Sequence, residues 1–362
     1  MKVAHIIKSL NPGGVETWLK DLSLCNSNDE LHFVLHNNTE SFYEEEVKRS
    51  GSSVHRIPLK KNFFSFSLRF FLLLRKEQFD VVHSHVNLTS GWFLFLSFLA
   101  GVKVRVAHCH NDKRSEYINL NFKRRIYNAL MKVFVHLFSN RKIAVSKDCS
   151  GSMFYESAAL VSILPCGLNF KNNFKEFKKT DFGFNDDDIV LLHVGRFVPQ
   201  KNHEFILKLM EAFKQYDNIK ILLIGEGDGL HKCKKIKDSL SLDNVIFLGV
   251  NGNVQDIMYK VADYFILPSK FEGLGLVAIE SQSCNVHTIV SDRVPADVKI
   301  SDYIDFLPLE PINIWVDKII CNINENKHIK AKEMCFDNEK FTIENNSRCL
   351  TLVYKGIEKG AV

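Results

Sequence analysis

Residues 264–284 read Tyr-Phe-Ile-Leu-Pro-Ser-Lys-Phe-Glu-Gly-Leu-Gly-Leu-Val-Ala-Ile-Glu-Ser-Gln-Ser-Cys. The first four residues predict a short buried strand, and the Pro-Ser pair after them predicts a turn. A glycine-bearing loop follows at Glu272 to Gly275, and a mostly apolar helix is predicted from about Leu276. Backbone amides at such a helix start carry the positive end of the helix dipole, which suits a phosphate. The stretch therefore predicts an anion-binding loop at the end of a buried strand.

Two carboxylates belong to this stretch. Glu272 lies in the loop, and Glu280 lies about a turn inside the helix, directly after Val277-Ala278-Ile279. A carboxylate among apolar neighbours needs a partner. In one interpretation, Glu272 is a solvated loop acid and Glu280 is a salt-bridged helix residue. In the other, both carboxylates face one crevice and accept hydrogen bonds from the hydroxyls of a sugar nucleotide.

A second motif lies about 70 residues earlier. The predicted strand Ile189 to Val194 leads into Gly195-Arg196-Phe197-Val198-Pro199-Gln200-Lys201-Asn202-His203, just before a predicted helix. Two cations at a strand end are suited to neutralising a leaving diphosphate, whose charge grows as the sugar bond breaks. The alternative is that Arg196 and Lys201 are solvated loop cations.

Together these motifs resemble those of the retaining GT-B glycosyltransferases, the large group typified by sucrose and glycogen synthases, and in particular the glycosyltransferase family 4 type. Phe271 to Glu280 resembles the paired-glutamate motif, and Gly195-Arg196 with Lys201-Asn202 resembles the motif that holds the pyrophosphate. Further matches are Gly13-Gly14-Val15-Glu16, Ile143-Ala144-Val145-Ser146, Leu164-Pro165-Cys166-Gly167-Leu168-Asn169 and Gly225-Glu226-Gly227. In the third of these, Cys166 and Asn169 replace the usual Asn and Asp. The resemblance is greatest to bacterial enzymes that build capsule, exopolysaccharide or O-antigen chains.

Strand and helix patterns alternate along the whole chain, which indicates parallel α/β sheets. Strands are predicted at Val3–Ile7, His32–His36, Val54–Pro58, Val81–His85, Val104–His110, Lys142–Val145, Ile189–Val194, Lys220–Ile224, Val245–Leu248, Tyr264–Leu267 and Thr288–Ser291. With the resemblance, the expected fold is GT-B, in which two Rossmann-like domains face a central cleft. We expect an acceptor-binding domain at 1–170, a linker at 171–188, a nucleotide-sugar domain at 189–340, and at 341–362 a terminal helix that returns to the first domain.

Composition agrees with a two-domain intracellular protein. The chain has 362 residues, of which 46% are apolar, enough for two separate cores. Its 9 cysteines form no Cys-x-x-Cys pair, which favours reduced cytoplasmic thiols. A strand pattern begins at once after Met1, so we expect no secretory leader. The longest apolar run, Trp92 to Val102, is too short to span a bilayer.

Charge is shared unevenly between the two halves. Residues 1–170 hold 22 Lys and Arg against 14 Asp and Glu, a balance of +8, while the remaining 25 against 28 leave −3. Aromatic and basic residues occur together at 63–75 and 122–127, which suits an anionic membrane interface. The alternative is that these are core helices with basic residues at their edges. No nucleic-acid module is present, so a nucleic-acid partner is not expected.

Two His-x-His pairs end neighbouring predicted strands: His83 with His85, and His108 with His110. Residues two apart in a strand share a face, so the pairs could converge on a metal ion. The resemblance instead implies that His110 contacts the donor sugar near the reacting carbon and that no metal is required. His108 would then support the end of the sheet.

The resemblance implies an enzyme that transfers a hexose or N-acetylhexosamine, with retention, from a nucleotide-diphosphate sugar, expected to be a UDP-sugar, to a lipid-linked oligosaccharide at the inner face of the cytoplasmic membrane. The implied catalytic residues are Glu272, His110, Arg196 and Lys201, and the implied donor-binding residues are Gly13, Gly14, Arg196, Lys201, Gly225, Glu272, Gly273, Leu274, Gly275 and Glu280. No cofactor is expected. A sugar-nucleotide epimerase and a non-catalytic partner of another glycosyltransferase are the alternatives.

Overall fold

The computed structural model describes residues 1–25, 29–58, 63–112, 120–155, 160–325 and 339–357. These residues divide into two compact units. The first lies within Met1–Asn169 and Glu339–Val362, and the second lies within Phe170–Asn338. Each unit is built on its own parallel sheet.

The first unit alternates strands and helices. Its strands are β1 (Lys2–Ile7), β2 (Glu30–Leu35), β3 (Ser53–Arg56), β4 (Val81–Ser84), β5 (Val104–Cys109), β6 (Arg141–Ala144) and β7 (Ser162–Ile163). Its helices are α1 (Gly14–Leu24), α2 (Glu44–Arg49), α3 (Phe63–Glu77), α4 (Ser90–Leu99), α5 (Phe122–Phe138) and α6 (Lys147–Met153), and the chain's last helix, described below, also belongs to it.

The first sheet has the strand order β3-β2-β1-β4-β5-β6-β7, and every pairing in it is parallel. Its central strands are apolar over most of their length and buried on both faces, as expected where helices cover a parallel sheet. In this register His5 pairs with His83, and His83 pairs with Val106. Histidines of three adjacent strands are thereby brought together.

The second unit repeats the pattern. Its strands are β8 (Ile189–Val194), β9 (Ile219–Ile224), β10 (Val245–Gly249), β11 (Tyr264–Leu267), β12 (His287–Ser291) and β13 (Ile304–Leu307). Its helices are α7 (His203–Ala212), α8 (Leu230–Ser239), α9 (Val254–Lys260), α10 (Leu276–Ser283) and α11 (Asn313–Asn324). The sheet order is β10-β9-β8-β11-β12-β13, again all parallel.

The core of the second unit lies between its sheet and the helices α7 and α11. Phe205 and Phe213 of α7, Trp315 of α11 and Tyr264 of β11 all belong to it. The Trp315 indole donates to Pro308 O at 2.8 Å, so its one polar atom is satisfied while the ring is fully buried. This packing holds the carboxyl ends of the central strands in fixed positions.

All eleven predicted strands are present, and two further strands, β7 and β13, were not predicted. Strand β7 has two residues and is too short to show a period, and β13 has the mixed sequence Ile-Asp-Phe-Leu. Both form an edge of their sheet, where pairing with one neighbour is enough to define them.

The last helix, α12 (Ile343–Lys355), packs in the first unit. Asn346 accepts from the Trp18 indole at 2.8 Å and donates to Pro165 O at 2.6 Å. The hydroxyl of Tyr354 lies 2.7 Å from His83 Nδ1. Buried polar contacts therefore join the two ends of the chain within one unit.

Residues 171–188, predicted as the linker, are held against the second unit. Lys171 Nζ lies 2.7 Å from the fully buried carboxylate of Asp256, and the Phe174 ring stacks on Tyr259 at 4.0 Å. Lys179 pairs with Asp263 at 2.8 Å.

Candidate functional site

The strand order of the second sheet reverses between β8 and β11, its two central strands. In open α/β sheets, ligands bind outside the carboxyl ends of the strands at such a switch point. The loop after β8 carries Arg196 and Lys201, and the loop after β11 carries Glu272. The two sequence motifs therefore meet at the position that this fold favours for a ligand.

An ion pair joins the two loops. Lys201 Nζ lies 2.6 Å from Glu272 Oε1, and the Ser269 hydroxyl donates to the same oxygen at 2.6 Å. The other carboxylate oxygen, Oε2, accepts from Gln200 at 3.2 Å. Glu272 is only 8% exposed, and its carboxylate accepts hydrogen bonds from all three donors. Glu272 is thus not the solvated loop acid that was the alternative reading.

Further contacts fix the loops to each other. The Gln200 amide also donates to Phe271 O at 3.0 Å, and Lys270 N donates to Gln200 O at 2.8 Å. Asn202, in the left-handed region at φ 58°, donates to Pro268 O at 3.1 Å. Five hydrogen bonds besides the ion pair therefore hold Lys201 and Glu272 in place, as a preorganised site requires.

Gly225 lies where the loop after β9 touches the loop after β8. Its φ is +141°, and a Cβ at this position would stand 2.2 Å from Gly195 O. Gly227, at φ +151°, also lies against backbone, since a Cβ there would stand 2.7 Å from Phe197 O. Only glycine permits this approach, so the loop bearing Arg196 rests directly on backbone.

The loop Gly273-Leu274-Gly275 is buried and leads into α10. Gly275, at φ +97°, is the residue before the helix, and a Cβ there would lie 3.2 Å from Val294 Cγ1. Glu280 is half-buried in α10. The structure therefore has a helix start beside Glu272, with the second glutamate of the motif one turn further on.

Arg196 differs from Lys201 in its surroundings. Its side chain is exposed, and within the described part of the chain its guanidinium makes no hydrogen bond or ion pair. An exposed Arg at a strand end, with all five of its N–H donors available, is suited to an anionic ligand.

The remaining predicted residues lie in the first unit. Gly14 opens α1, and Gly13 precedes it with the extended φ of 179°. The Glu16 side chain folds back over Gly13, so that a Cβ on Gly13 would stand 2.4 Å from Glu16 Oε2. An anionic ligand at this helix start would meet the Glu16 carboxylate first.

His110 is buried, with 6% of its surface exposed, and both ring nitrogens face inward. Nε2 lies 2.9 Å from His85 Nδ1, and Nδ1 lies 3.5 Å from Cys166 Sγ. Burial lowers the pKa of His110 to about 3, so the ring is neutral near pH 7. Because both ring nitrogens already face neighbours within the cluster, a sugar would contact ring carbon atoms or the backbone of His110.

His110 belongs to a cluster of five buried imidazoles, together with His5, His83, His85 and His108. His83 Nε2 lies 3.1 Å from His108 Nδ1, and His5 Nδ1 lies 3.0 Å from His85 Nε2. Trp18 covers the cluster, with its ring centroid between 5.5 and 6.5 Å from four of the five. Burial also lowers the pKa of His5 to about 3 and holds the pKa of the other three well below their usual range.

Eight of the predicted residues lie in the second unit, in the loops after β8, β9 and β11 or in α10: Arg196, Lys201, Gly225, Glu272, Gly273, Leu274, Gly275 and Glu280. Gly13, Gly14 and His110 belong to the first unit. Ser269 and Gln200 also contact Glu272, and the sequence reading missed both. The sequence could have indicated both residues by their position, since Ser269 ends the turn after β11 and Gln200 directly precedes Lys201.

Helices α3 and α5 of the first unit, which both contact α4, expose apolar side chains. Phe64 is 84% exposed and Phe122 76%, with further exposed residues at one-turn spacing: Leu68, Leu72, Ile126, Leu130, Val133 and Leu137. Lys123, Arg124 and Arg125 are exposed beside Phe122. We name these residues the α3/α5 surface. Among the helices that the structure describes, none has both the length and the apolar character to span a membrane.

Two family models match the chain, "Glycosyltransferase Family 4" over residues 12–169 and "Glycosyl transferases group 1" over residues 174–305. Capsular polysaccharide biosynthesis glycosyltransferase CapH of Staphylococcus aureus is 29% identical, with 98% of each chain covered. UDP-Gal:alpha-D-GlcNAc-diphosphoundecaprenol alpha-1,3-galactosyltransferase of Escherichia coli is 24% identical over 74% of this chain and 70% of its own. The crystal structure of Anabaena HepE in complex with UDP and glucose superposes with a TM-score of 0.82 at 16% identity, covering 99% of this chain and 100% of that one.

Proposed function

This chain belongs to the GT-B glycosyltransferases, and from that premise we propose that it transfers a hexose or N-acetylhexosamine, with retention, from a UDP-sugar to a lipid-linked glycan in polysaccharide biosynthesis. The Lys201–Glu272 pair at the switch point of the second sheet carries the proposal. In this pair, an ammonium group suited to binding a diphosphate lies 2.6 Å from a carboxylate suited to accepting from sugar hydroxyls. The relatives named above are glycosyltransferases, which makes the two alternative functions, a sugar-nucleotide epimerase and a non-catalytic partner, less favoured.

Lys201 can hold the carboxylate and a phosphate at once. Its ammonium has three N–H donors, and Glu272 Oε1 uses one of them at 2.6 Å. The remaining donors, with the exposed guanidinium of Arg196, would neutralise the diphosphate as it leaves. Amides at the start of α10 would contribute the positive end of a helix dipole.

Glu272 is suited to hold the sugar. An ionised carboxylate offers about four acceptor positions. Lys201, Ser269 and Gln200 use three of them, which leaves one for a sugar hydroxyl. Glu280, one turn inside α10, would accept from the ribose hydroxyls of the nucleotide.

The chemical step then needs no protein nucleophile and no metal. The bond from the anomeric carbon to the diphosphate oxygen breaks, and its electron pair goes to the diphosphate. The acceptor hydroxyl attacks from the same face, and its proton passes to the departing phosphate oxygen. Proximity and charge stabilisation by Arg196 and Lys201 supply the catalysis.

A panel of nucleotide sugars tests the donor. We expect one UDP-sugar to raise the thermal midpoint, since a ligand at a hundred times its Kd stabilises the folded state by about 2.7 kcal/mol. Lys201→Ala should abolish the shift, whereas Lys208→Ala, an exposed lysine of α7, should keep it. A folded protein that responds to none of the panel would contradict the donor assignment.

The anomeric configuration of the product tests the mechanism. With the donor found above and a lipid-diphosphate sugar as acceptor, proton NMR of the early product should show the donor's own configuration. The inverted anomer would refute retention. Transfer only to free sugars, with none to the lipid-linked acceptor, would refute the proposed acceptor class.

The α3/α5 surface is proposed to contact an anionic membrane, where a lipid-linked acceptor resides. Its apolar stripe and the exposed Lys123, Arg124 and Arg125 fit an interface with anionic lipids. Each basic residue near such a surface contributes about 1 kcal/mol. Reversing two charges with Arg124→Glu and Arg125→Glu should therefore weaken binding to phosphatidylglycerol vesicles by tenfold or more.

The matched control reverses two exposed lysines of the second unit, Lys234→Glu and Lys235→Glu, which change the net charge equally. It should bind the vesicles as the unmodified protein does. If both double variants lose binding alike, the effect is one of net charge, and the α3/α5 surface is not the contact.

A further inference from the structure

The histidine cluster of the first unit contains a geometry that the transfer reaction does not use. We propose that His85, His108 and His110 form a binding site for one Zn²⁺ ion. One nitrogen of each lies within 4.8 Å of the ligand atoms of the other two. The inference does not rest on the proposed transfer, which requires no metal.

The hydrogen bonds around the three rings identify the inward nitrogens. His108 Nδ1 is bonded to His83, so its other nitrogen, Nε2, is the available one, and it is buried without a hydrogen-bond partner among the described residues. His85 Nδ1 and His110 Nε2 lie 2.9 Å apart and share at most one proton. One ligand nitrogen of each ring therefore lies within 4.8 Å of those of the other two, and the pair from His85 and His110 has a single hydrogen bond between them.

The separation between the His85 and His110 nitrogens is near that of two ligands in a tetrahedral zinc centre. Zinc–nitrogen bonds of about 2.0–2.1 Å imply nitrogens about 3.3–3.4 Å apart. The His85–His110 separation of 2.9 Å would need to open by only a few tenths of an ångström. On zinc binding, the proton between His85 Nδ1 and His110 Nε2 would move to the outer nitrogen of the ring that carries it, so that each ring stays neutral and both inward nitrogens offer lone pairs. The ion would also give His108 Nε2 the partner that it lacks among the described residues.

Each proposed ligand also has an outer partner, as metal-binding histidines require. His85 Nε2 lies 3.0 Å from His5 Nδ1, and His110 Nδ1 lies 3.5 Å from Cys166 Sγ. His108 Nδ1 is joined through His83 to the Tyr354 hydroxyl. These outer partners can accept the N–H of each ring, which leaves the inward nitrogens free to carry lone pairs once the metal is bound.

Another group of possible ligands, His32, His55 and Glu77, is less suited. Glu77 is paired with Lys2 at 2.8 Å, and His32 Nε2 lies 2.7 Å from Glu30. A cation there would displace ion pairs that are already formed. This group therefore provides the control variant.

The test measures metal content rather than activity. The full chain is stripped with a chelator, loaded with Zn²⁺ or Co²⁺, and desalted. We expect one equivalent of zinc, a visible cobalt band of tetrahedral intensity, and an X-ray absorption spectrum with three imidazole nitrogens at about 2.0 Å. His108→Asn should lose the bound ion, and His32→Asn should keep it.

Two milder variants probe the outer partners. Tyr354→Phe and Cys166→Ser should retain the stoichiometry but weaken affinity about 10–100-fold, the usual effect of changes behind a ligand. No bound zinc in the folded protein, retention by a folded His108→Asn, or fewer than three imidazoles in the absorption spectrum would each overturn the proposal. The spectrum decides the case if His108→Asn fails to fold.

Discussion

Acid should unfold the first unit at a pH where most proteins are still stable. Five buried imidazoles are neutral in the folded state, with the pKa of His5 and His110 lowered to about 3 and the pKa of His83, His85 and His108 well below the usual range. In the unfolded chain each pKa returns to about 6.5. The unfolded state therefore binds more protons below pH 6.5, and stability is lost as the pH falls through that value.

The magnitude follows from the number of rings. Between pH 7.5 and 5.5, a histidine that titrates only when unfolded costs about 1.4 kcal/mol. Five such rings give about 7 kcal/mol if all stay neutral in the folded unit, which is comparable with the whole stability of an ordinary domain, about 5–15 kcal/mol. We expect acid unfolding of the first unit between about pH 5 and 6.

Urea unfolding of the chelator-stripped, metal-free protein at pH 7.5, 6.5 and 5.5 measures this loss. The signal is the fluorescence of Trp18, which covers the cluster, in a variant that carries Trp92→Phe and Trp315→Phe. His5→Gln should reduce the loss by about 1.4 kcal/mol, and replacing the exposed His136 by Gln should leave it unchanged. A total loss below about 2 kcal/mol over this range would refute the reasoning, because it would mean that the rings gain protons without unfolding.

Three further predictions concern packing and catalysis. Gly225→Ala would place a Cβ 2.2 Å from the backbone oxygen of Gly195, so urea unfolding of the second unit should show a loss of about 2–4 kcal/mol, and an unchanged midpoint would contradict the close approach. Glu272→Gln should lower the initial transfer rate about a hundredfold or more while circular dichroism stays native, and near-normal turnover would remove Glu272 from the site. Asn346→Leu leaves the Trp18 indole without its acceptor at 2.8 Å and Pro165 O without its donor at 2.6 Å, so it should cost about 1–3 kcal/mol in thermal or urea unfolding, and an unchanged midpoint would contradict the role of these bonds.

Much of the architecture could be predicted because the strands are buried on both faces. Such strands appear as short apolar runs, and their alternation with helices indicates parallel pairing. Two of the four edge strands, β7 and β13, were missed because neither is a continuous apolar run. Strand β7 has only two residues, and Asp305 interrupts the apolar pattern of β13.

The candidate site was likewise predicted in part. Lys201 and Glu272 lie 71 residues apart, yet both could be assigned to one site from their motifs, and the structure places them 2.6 Å from each other. The supporting contacts of Ser269 and Gln200 were not predictable, because a hydrogen bond between loops depends on how two strand ends sit side by side.

The sequence by itself determined the two-sheet α/β class, the family and the motifs that follow the strands, because each depends on residues that are close along the chain. Only the tertiary structure decided which side chains meet. Two His-x-His pairs and the distant His5 form one buried cluster because the register of β1, β4 and β5 places these histidines on neighbouring strands. The tertiary structure also brought Asn346 to Trp18, from opposite ends of the chain, because burial of the indole requires an acceptor that local sequence cannot supply.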